Sequence, residues 1–408
     1  MPRFTSELAR LATELDLELT SAGAPANPLV ALDLDRWLEA PPESVRQAAK
    51  LVAGALPLTV GVLTGPPTAG LEPLITAATL TFAHEAAMPP HANEPFGPNR
   101  PAAARHRPPG SSGIRDRGAP VREGRGGPEE SWREQVWRAI IPIDDLPGTP
   151  NAASGPQAAV ERVREAVLRS PRAAIACGQL VRQTALLGTG EGLAAEAATY
   201  SLLLGGVEFQ GWLGERGAAR PRQPATEPVL VGRDGARLSV LLNVPERRNA
   251  FSAAVREALL DAVLLAEADE TIESVELSGA GAAFCSGGDL DEFGAATDLV
   301  AAWLVRLSRA PWRVIDRIAP KVTVYAHGAC IGAGTEIAAY AGRVVAAPDA
   351  FFALPEVRMG LVPGAGGSVS VVRRIGRWRA AWLMLGDQRL PAATALRWGL
   401  VDEIAPPR

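Results

Sequence analysis

The sequence contains few of the residues on which several classes of protein depend. Only three cysteines occur among its 408 residues, Cys177, Cys285 and Cys330, and they lie far apart without a CxxC pair. Cysteines in this number and at these spacings indicate neither a disulfide framework nor a zinc site. We therefore expect no metal site and no cross-linked scaffold.

A strong excess of one charge and long apolar runs are also lacking. The net charge is −4, so composition gives no electrostatic reason to expect nucleic acid or an anionic membrane as a partner. No run of about 18 apolar residues suggests a membrane-spanning helix. The first residues carry acids at short spacing and no signal-peptide apolar core. We therefore expect a soluble cytoplasmic protein, with neither nucleic acid nor a membrane as partner.

Changes in composition divide the chain into five expected regions. Residues 1–87 alternate strand and helix signals: strands are predicted at 29–34 and 58–63 and helices at 43–56 and 70–85, an order that suggests parallel strands. Residues 88–131 are rich enough in Pro, Gly and Arg to predict a disordered linker. Residues 132–217 show helical apolar spacing, and residues 218–227 form a connector rich in Pro and Arg. Residues 228–408 again combine strands and helices. A chain of 408 residues is long enough for two or three domains.

Two glycine-rich motifs in the C-terminal region carry most of the chemical information. The first, FCSGGDLDEF, occupies residues 284–293, and the second extends over residues 327–367 and contains the turns GAG and PGAGG. Glycine permits a positive φ and close backbone approach, and the first turn of a helix has unpaired N–H groups. Glu336 and Glu356 lie within this otherwise apolar stretch. Donors aimed at a carbonyl oxygen beside two carboxylates suit proton transfer next to a thioester.

With both motifs in order and at this separation, residues 238–404 resemble the crotonase (enoyl-CoA hydratase/isomerase) superfamily. The resemblance implies an α/β fold with a crotonase-like ββα spiral core, to which N-terminal α/β and helical regions are added. It implies an acyl-CoA thioester as substrate, with coenzyme A as part of that substrate and no other cofactor. A homo-oligomer, either a trimer or a dimer of trimers, is implied as well.

Site residues are implied at the positions that match the two motifs. The resemblance makes Glu336 and Glu356 the catalytic acid–base pair, and the backbone amides of Gly288 and Ala333 the oxyanion hole. Ala333 replaces the usual glycine, which a backbone donor tolerates but which narrows the pocket. The residues implied to bind coenzyme A or substrate are Arg247, Arg248, Ala250, Ser286, Gly287, Asp289, Leu290, Gly332, Leu361 and Gly364.

Other roles remain open for some of these side chains. A glutamate near a helix start also acts as a cap or dipole partner. Arg247 and Arg248 suit phosphate groups as forked donors, but a solvated surface suits either one equally. Cys285 and His327 suggest a Cys–His nucleophile, although a buried thiol and a strand-end histidine are favoured because nothing in the sequence brings the two together.

The helical region resembles the C-terminal tail of the same superfamily, although it precedes the core. Residues 170–216 carry this likeness, with Gly178 where that tail often has a lysine. The core itself stops at residues 400–404, where the tail would begin. We therefore expect residues 160–217 to pack on the core of the same chain or of a neighbouring subunit. Residues 1–87 are either a degenerate partial copy of the crotonase N-terminal half or an unrelated α/β cap.

The favoured function is hydration or isomerisation of an enoyl-CoA through a thioester enolate. Within the same fold, cofactor-independent oxygenation of an aryl-acyl-CoA is an alternative. A non-catalytic acyl-CoA-binding or scaffold protein is an alternative from another class. The sequence alone does not identify the acyl chain.

Overall fold

A computed structural model describes residues 2–88, 128–146, 155–219 and 226–407. The helices are α1 (Pro2–Glu14), α2 (Pro42–Gly54), α3 (Glu72–Ala77), α4 (Pro128–Ala139), α5 (Gly155–Arg169), α6 (Pro171–Thr184), α7 (Thr189–Leu204), α8 (Val207–Arg216), α9 (Ala253–Ala268), α10 (Leu299–Ser308), α11 (Pro311–Arg317), α12 (Ala333–Ala338), α13 (Gly367–Leu385) and α14 (Ala392–Trp398). The strands are β1 (Leu29–Asp33), β2 (Leu58–Leu63), β3 (Leu80–Ala83), β4 (Ile141–Pro142), β5 (Val229–Asp234), β6 (Arg237–Leu242), β7 (Ser274–Gly279), β8 (Val322–Ala326), β9 (Ala329–Ile331), β10 (Arg343–Ala346), β11 (Phe351–Ala353), β12 (Leu390–Pro391) and β13 (Glu403–Ile404). Most of the predicted linker and connector lies outside the described residues, although residues 128–131 begin α4.

The N-terminal region forms a four-stranded parallel sheet in the order β1-β2-β3-β4, which confirms the predicted parallel pairing. The middle strand β2 is buried along its whole length, as its continuous apolar run requires. Leu58 and Val60 on one face belong to the large core of the protein. Leu63 on the other face belongs to a second cluster with residues of α1, α2 and α4. Because β4 lies beyond residue 140, this sheet extends past residue 87, where the expected α/β region ended.

The predicted helix over residues 70–85 is wrong in its second half. The helix α3 ends at Ala77, and residues 80–83 form the strand β3. Thr79 and Thr59 explain the change, since the amide of each donates to the side-chain oxygen of the other at 3.0–3.1 Å. These cross-strand bonds have no equivalent in a helix, so the tertiary partner overrides the local apolar spacing.

The C-terminal region contains a six-stranded sheet in the order β13-β10-β8-β7-β6-β5 and a three-stranded sheet in the order β12-β11-β9. All pairs of the larger sheet are parallel except the β5–β6 hairpin. From β8 to β11 consecutive strands alternate between the two sheets, because β8 and β10 join the larger one whereas β9 and β11 join the smaller one. This alternation is the repeating pattern expected of a ββα spiral core.

The helices α5–α8 lie between the N-terminal sheet and the C-terminal core of the same chain. Helix α6 packs along α13, and α7 packs against α10 and α13. Gly178 of α6 faces the N-terminal sheet, and a Cβ at this position would lie 2.2 Å from Leu58 Cδ2. The glycine that replaces the expected lysine therefore permits this close approach. Within the described ranges, no helix is both long and apolar enough to cross a membrane.

Candidate active site

A cavity of about 710 Å³ lies between the helical region and the C-terminal core. The core contributes both predicted amides, Gly288 and Ala333, and both predicted carboxylates, Glu336 and Glu356. The helical region contributes Tyr200 and neighbouring residues of α7 and α8. The two sequence motifs and an upstream helix thus meet around one space.

The two amides predicted to form the oxyanion hole are available as donors. Ala333 is the first residue of α12, where an N–H has no acceptor within its own helix. It follows Gly332, whose φ of 49° and ψ of −120° turn the chain from β9 into the helix. Gly288 follows Gly287, which has a φ of 94°. Within the part of the chain that the structure describes, neither amide donates a backbone hydrogen bond.

Glu336 lies in the first turn of α12 and is buried. Its Oε2 accepts the backbone N–H groups of Ala365 at 2.7 Å and Gly367 at 2.8 Å. Burial raises the pKa of Glu336 well above its usual range, and the charges of Glu356 and Glu196 act in the same direction. The two amides oppose this shift because they stabilise the ionised form.

Glu356 is also buried but has a different environment. It begins a 3-10 turn after Pro355, and its Oε2 has no hydrogen-bond partner among the described residues. Burial raises the pKa of Glu356 to about 8. Burial thus raises the pKa values of both glutamates, but only Glu336 accepts two backbone N–H groups that favour its carboxylate form. Two acids with different environments can act as acid and base in one reaction.

A third buried glutamate, Glu196, comes from α7 of the helical region. Its carboxylate accepts the N–H of Gly366 at 2.7 Å and both the N–H and the hydroxyl of Ser368, at 2.8 and 2.6 Å. Burial raises the pKa of Glu196 to about 7, against the hydrogen bonds from Ser368 and Gly366. Glu196 is not among the site residues predicted from the sequence. A glutamate among the buried positions of an apolar helix was the available signal, since Leu193, Ala197 and Tyr200 flank it.

Arg306 of α10 is the cation next to this group. Its guanidinium lies 3.7 Å from the centre of the Tyr200 ring, a cation–π contact. A Cβ on Gly364 would lie 3.3 Å from Arg306 Nη1, so the guanidinium contacts the PGAGG turn. The positive charge lowers the pKa of Glu196.

The residues predicted to bind coenzyme A or substrate are only partly brought together. Asp289 and Gly364 line the cavity with the catalytic candidates. The residues that do not line it are Arg247, Arg248, Ala250, Ser286, Gly287, Leu290, Gly332 and Leu361. Gly332 lies directly behind Glu356, since a Cβ on it would lie 2.5 Å from Glu356 Oε1. Leu361 is fully buried, and Leu290 is exposed.

The two arginines have different surroundings. Arg247 donates to Asp289 at 2.8 Å and to Asp291 at 2.5 Å, so carboxylates already neutralise its charge. Arg248 is exposed, has a φ of 52°, and makes no ion pair with any residue that the structure describes. Of the two, Arg248 is the one with a free guanidinium. Asp289 also caps the short 3-10 turn that follows it.

The Cys285 and His327 side chains do not form a nucleophilic pair. Cys285 is buried, and burial raises the pKa of its thiol to about 12, which suppresses the reactive thiolate. His327 Nε2 is hydrogen-bonded to the carbonyl of Gly281 at 2.9 Å. The favoured interpretation of the two residues, a buried thiol and a strand-end histidine, agrees with these contacts. In the described ranges, no group of three or more His, Cys, Asp or Glu is arranged to hold a metal ion.

Comparisons with known proteins match the C-terminal part of the chain. A family model described as enoyl-CoA hydratase/isomerase matches residues 235–408. The 2,3-dehydroadipyl-CoA hydratase of Escherichia coli (strain K12) is 32% identical over 178 residues, which are 44% of this chain and 69% of that protein. The 1,2-epoxyphenylacetyl-CoA isomerase of the same organism is 33% identical over 172 residues, covering 41% of this chain and 65% of that protein. Among solved structures, an enoyl-CoA hydratase from Thermoplasma volcanium GSS1 has 30% identity and a TM-score of 0.40, covering 44% of this chain and 72% of that one.

Proposed function

The chain belongs to the enoyl-CoA hydratase/isomerase family, and we propose that it hydrates or isomerises an enoyl group carried as a coenzyme A thioester. The observation that carries this proposal is the convergence of two backbone amides and two unlike carboxyl groups on one cavity. The amides suit the oxygen of a thioester enolate, and the carboxyl groups suit the proton transfers that make and consume it.

In the proposed hydration, the thioester carbonyl accepts hydrogen bonds from the amides of Gly288 and Ala333. The Glu336 carboxylate removes a proton from water, and the water oxygen attacks C3 of the enoyl group. The electrons of the C2–C3 double bond move toward the carbonyl, and the resulting enolate oxygen is stabilised by the two amides. Glu356, protonated at the start, then donates its proton to C2, which completes the addition of water.

The assignment of base and acid follows from the surroundings of the two glutamates. Glu336 accepts two amide N–H groups, which favour a carboxylate. Glu356 has an Oε2 without a partner among the described residues, which favours the acid form. Burial raises the pKa values of both glutamates, so the assignment rests on this difference in hydrogen bonding. For isomerisation, one of the two groups removes a proton from C2 and the proton returns at C4.

We further propose that the binding groups and regions have the roles that the resemblance implies. Arg248 supports a phosphate contact better than Arg247, because Arg247 is already paired with two aspartates. We propose that the helical region covers the cavity as a C-terminal tail would, since α7 of the same chain lines it. Coenzyme A would enter as part of the substrate. An oligomeric assembly and a cytoplasmic location remain expectations.

Turnover of defined thioesters tests the proposal. The full chain is incubated with crotonyl-CoA and with a 3-enoyl-CoA, and the 2-enoyl absorbance is followed. Glu336→Gln and Glu356→Gln should each lower kcat by about 10²–10⁴, because each removes a positioned acid–base group. Glu267→Gln is the matched control, since Glu267 pairs with Arg317 on the surface and does not line the cavity.

Three other outcomes have distinct meanings. No turnover of any enoyl-CoA, with oxygen uptake on an aryl-acyl-CoA, would replace the proposal with the oxygenation reaction. Thioester binding without turnover would indicate a non-catalytic protein. Rates like those of the unaltered protein in both glutamine variants would refute the acid–base assignment.

A further inference from the structure

Four successive backbone amides at the start of α13 are divided between two carboxylates that come from different parts of the chain. The N–H groups of Ala365 and Gly367 donate to Glu336 Oε2. The alternate ones, from Gly366 and Ser368, donate to the two oxygens of Glu196. The same turn of backbone thus donates hydrogen bonds to two glutamates. One is Glu336 of the C-terminal core, and the other is Glu196 of the helical region.

We propose that Glu196 is a positioning residue of the active site, which fixes the turn that orients Glu336 and sets the charge that Glu336 and Glu356 experience. This inference rests on the proposed acid–base roles of those two glutamates. It assigns a function to the helical region beyond covering the cavity, because an ionised side chain of α7 becomes part of the catalytic electrostatics.

The hydrogen-bond geometry supports the claim that Glu196 fixes the turn that orients Glu336. A carboxylate that accepts an N–H at each oxygen restrains the two peptide planes that donate to it. Gly366 and Ser368 alternate with Ala365 and Gly367, so the peptides that Glu196 restrains adjoin those that donate to Glu336. Gly366 has a φ of 92°, a conformation that glycine adopts readily and most other residues do not. The Tyr340 hydroxyl adds a further hydrogen bond to the Gly366 carbonyl, at 3.0 Å.

Hydrogen bonds from the helical region fix the same turn at a second point. Thr184 Oγ1, at the end of α6, donates to the carbonyl of Ser368 at 2.6 Å. In α7, a Cβ on Gly192 would lie 2.8 Å from Val369 Cγ2. The contacts of α6 and α7 therefore concentrate on residues 366–369, which adjoin the amides that hold Glu336.

The claim that the charge of Glu196 acts on Glu336 and Glu356 follows from the burial of all three glutamates in one apolar region. Negative charge on Glu196 raises the pKa values of both Glu336 and Glu356. The titratable and charged groups around this cluster include Glu336, Glu356, Tyr200, Cys177, Cys285, Arg306, Tyr340, Arg358, Arg373 and Asp316. Arg306 is the cation that acts on Glu196. Because the pKa of Glu196 is near 7, its charge is present in the alkaline range where Glu356 loses its proton.

The test compares Glu196→Gln with Glu208→Gln in the full chain. Glu208 belongs to the same helical region and also accepts two helix-start amides, those of Arg172 and Ala173 at 2.9 and 3.0 Å, but it does not line the cavity. A glutamine retains one acceptor oxygen and presents an NH₂ group to the other amide. Both variants therefore lose a similar structural interaction, and only one of them removes charge from the site.

We expect Glu196→Gln to lower kcat by about 10- to 100-fold, with little change in KM, because Glu336 is displaced by a fraction of an ångström to about 1 Å. The alkaline limb of the kcat profile should move to lower pH, because the pKa of Glu356 falls when the neighbouring charge is removed. Glu196→Asp, which keeps the charge, should restore the position of that limb. Glu208→Gln should lower stability and leave the limb where it is.

A second measurement does not depend on turnover. Carbon-13 spectra of protein labelled at the glutamate carboxyl carbon report each titration directly. Glu196→Gln should remove one of the carboxyl groups with a raised pKa and move the midpoints of the others to lower pH. If the unaltered protein turns over no thioester, the proposed reaction fails while this arm still tests the coupling. Unchanged midpoints in Glu196→Gln, or equal shifts in Glu208→Gln, would overturn the inference.

Should Glu196→Gln fail to fold, Ser368→Ala supplies the same test with a smaller change. It removes the hydroxyl that donates to Glu196 at 2.6 Å and leaves the hydrogen bonds from the backbone N–H groups of Gly366 and Ser368 in place. The pKa of Glu196 should then rise, because a donor to its ionised form is lost. A Glu196 midpoint that does not move would count against the proposed network.

Discussion

Gly332→Ala should damage the active site through a single added methyl group. Gly332 has a φ of 49° and a ψ of −120°, angles of a turn position that glycine usually occupies. A Cβ built on it lies 2.5 Å from Glu356 Oε1, whereas ordinary van der Waals contact begins at 3.4 Å. The substitution therefore combines a strained backbone with a direct collision against the proposed catalytic acid.

The size of each effect can be worked out separately. A non-glycine residue in this part of φ/ψ space costs about 1–3 kcal/mol of unfolding free energy. Relieving the collision requires the Glu356 oxygen to move by about 0.9 Å, the difference between 3.4 and 2.5 Å. Misplacement of a catalytic group by about 1 Å lowers the rate by about 10²-fold. We therefore expect a kcat near one hundredth of the unaltered value.

Urea denaturation and enoyl-CoA turnover measure the two effects, and Gly235→Ala is the matched control. Gly235 lies in the β5–β6 turn with a φ of 58°, and no atom lies within 4 Å of its Cβ position. This control should lose about 1 kcal/mol of stability from the positive φ and keep its kcat. The reasoning fails if Gly332→Ala retains full activity, or if Gly235→Ala loses as much activity as Gly332→Ala does.

Two further predictions concern packing and pH. Gly178→Ala should lower the free energy of unfolding by about 1–3 kcal/mol through overpacking against Leu58, measured by urea denaturation; Gly190→Ala in α7, with open space at its Cβ position, is the control and should not destabilise. Burial raises the pKa of Glu356 to about 8 from 4.5, so its stabilising contribution is complete below about pH 4.5 and disappears as pH rises through about 8. Glu356→Gln should flatten the loss of stability over that range, and an unchanged slope would contradict the burial argument.

The placement of the four candidate groups around one cavity was predictable because each group lies within one of the two sequence motifs. Gly288 and Ala333 are positioned by the turns that precede them, and Glu336 by the helix that begins at Ala333. The parallel pairing of β1 and β2 was predictable for a similar reason, since two buried apolar strands flank one helix. These features need only the residues adjacent in the chain, or one crossover connection.

Contacts between distant segments were not predictable from local pattern. Glu196 meets Ser368 across 172 positions, and no spacing rule joins a helix to a turn so far along the chain. Residues 80–83 have apolar spacing that fits a helix, and only the neighbouring strands β2 and β4 make them a strand. Arg247 likewise has the appearance of a phosphate ligand until Asp289 and Asp291 are placed beside it.

The position of Glu196 explains why the helical region is bound to this core rather than merely covering it. A buried carboxylate without donors would cost several kcal/mol, so α7 is stable in this place only if the amides of Gly366 and Ser368 satisfy it. The same amides would otherwise face an apolar helix unpaired, because the first N–H groups of α13 have no acceptor within their own helix. Each side therefore satisfies a polar group of the other. Glu336 accepts hydrogen bonds from the same turn, through Ala365 and Gly367. The interaction that attaches the helical region therefore also fixes the proposed catalytic base.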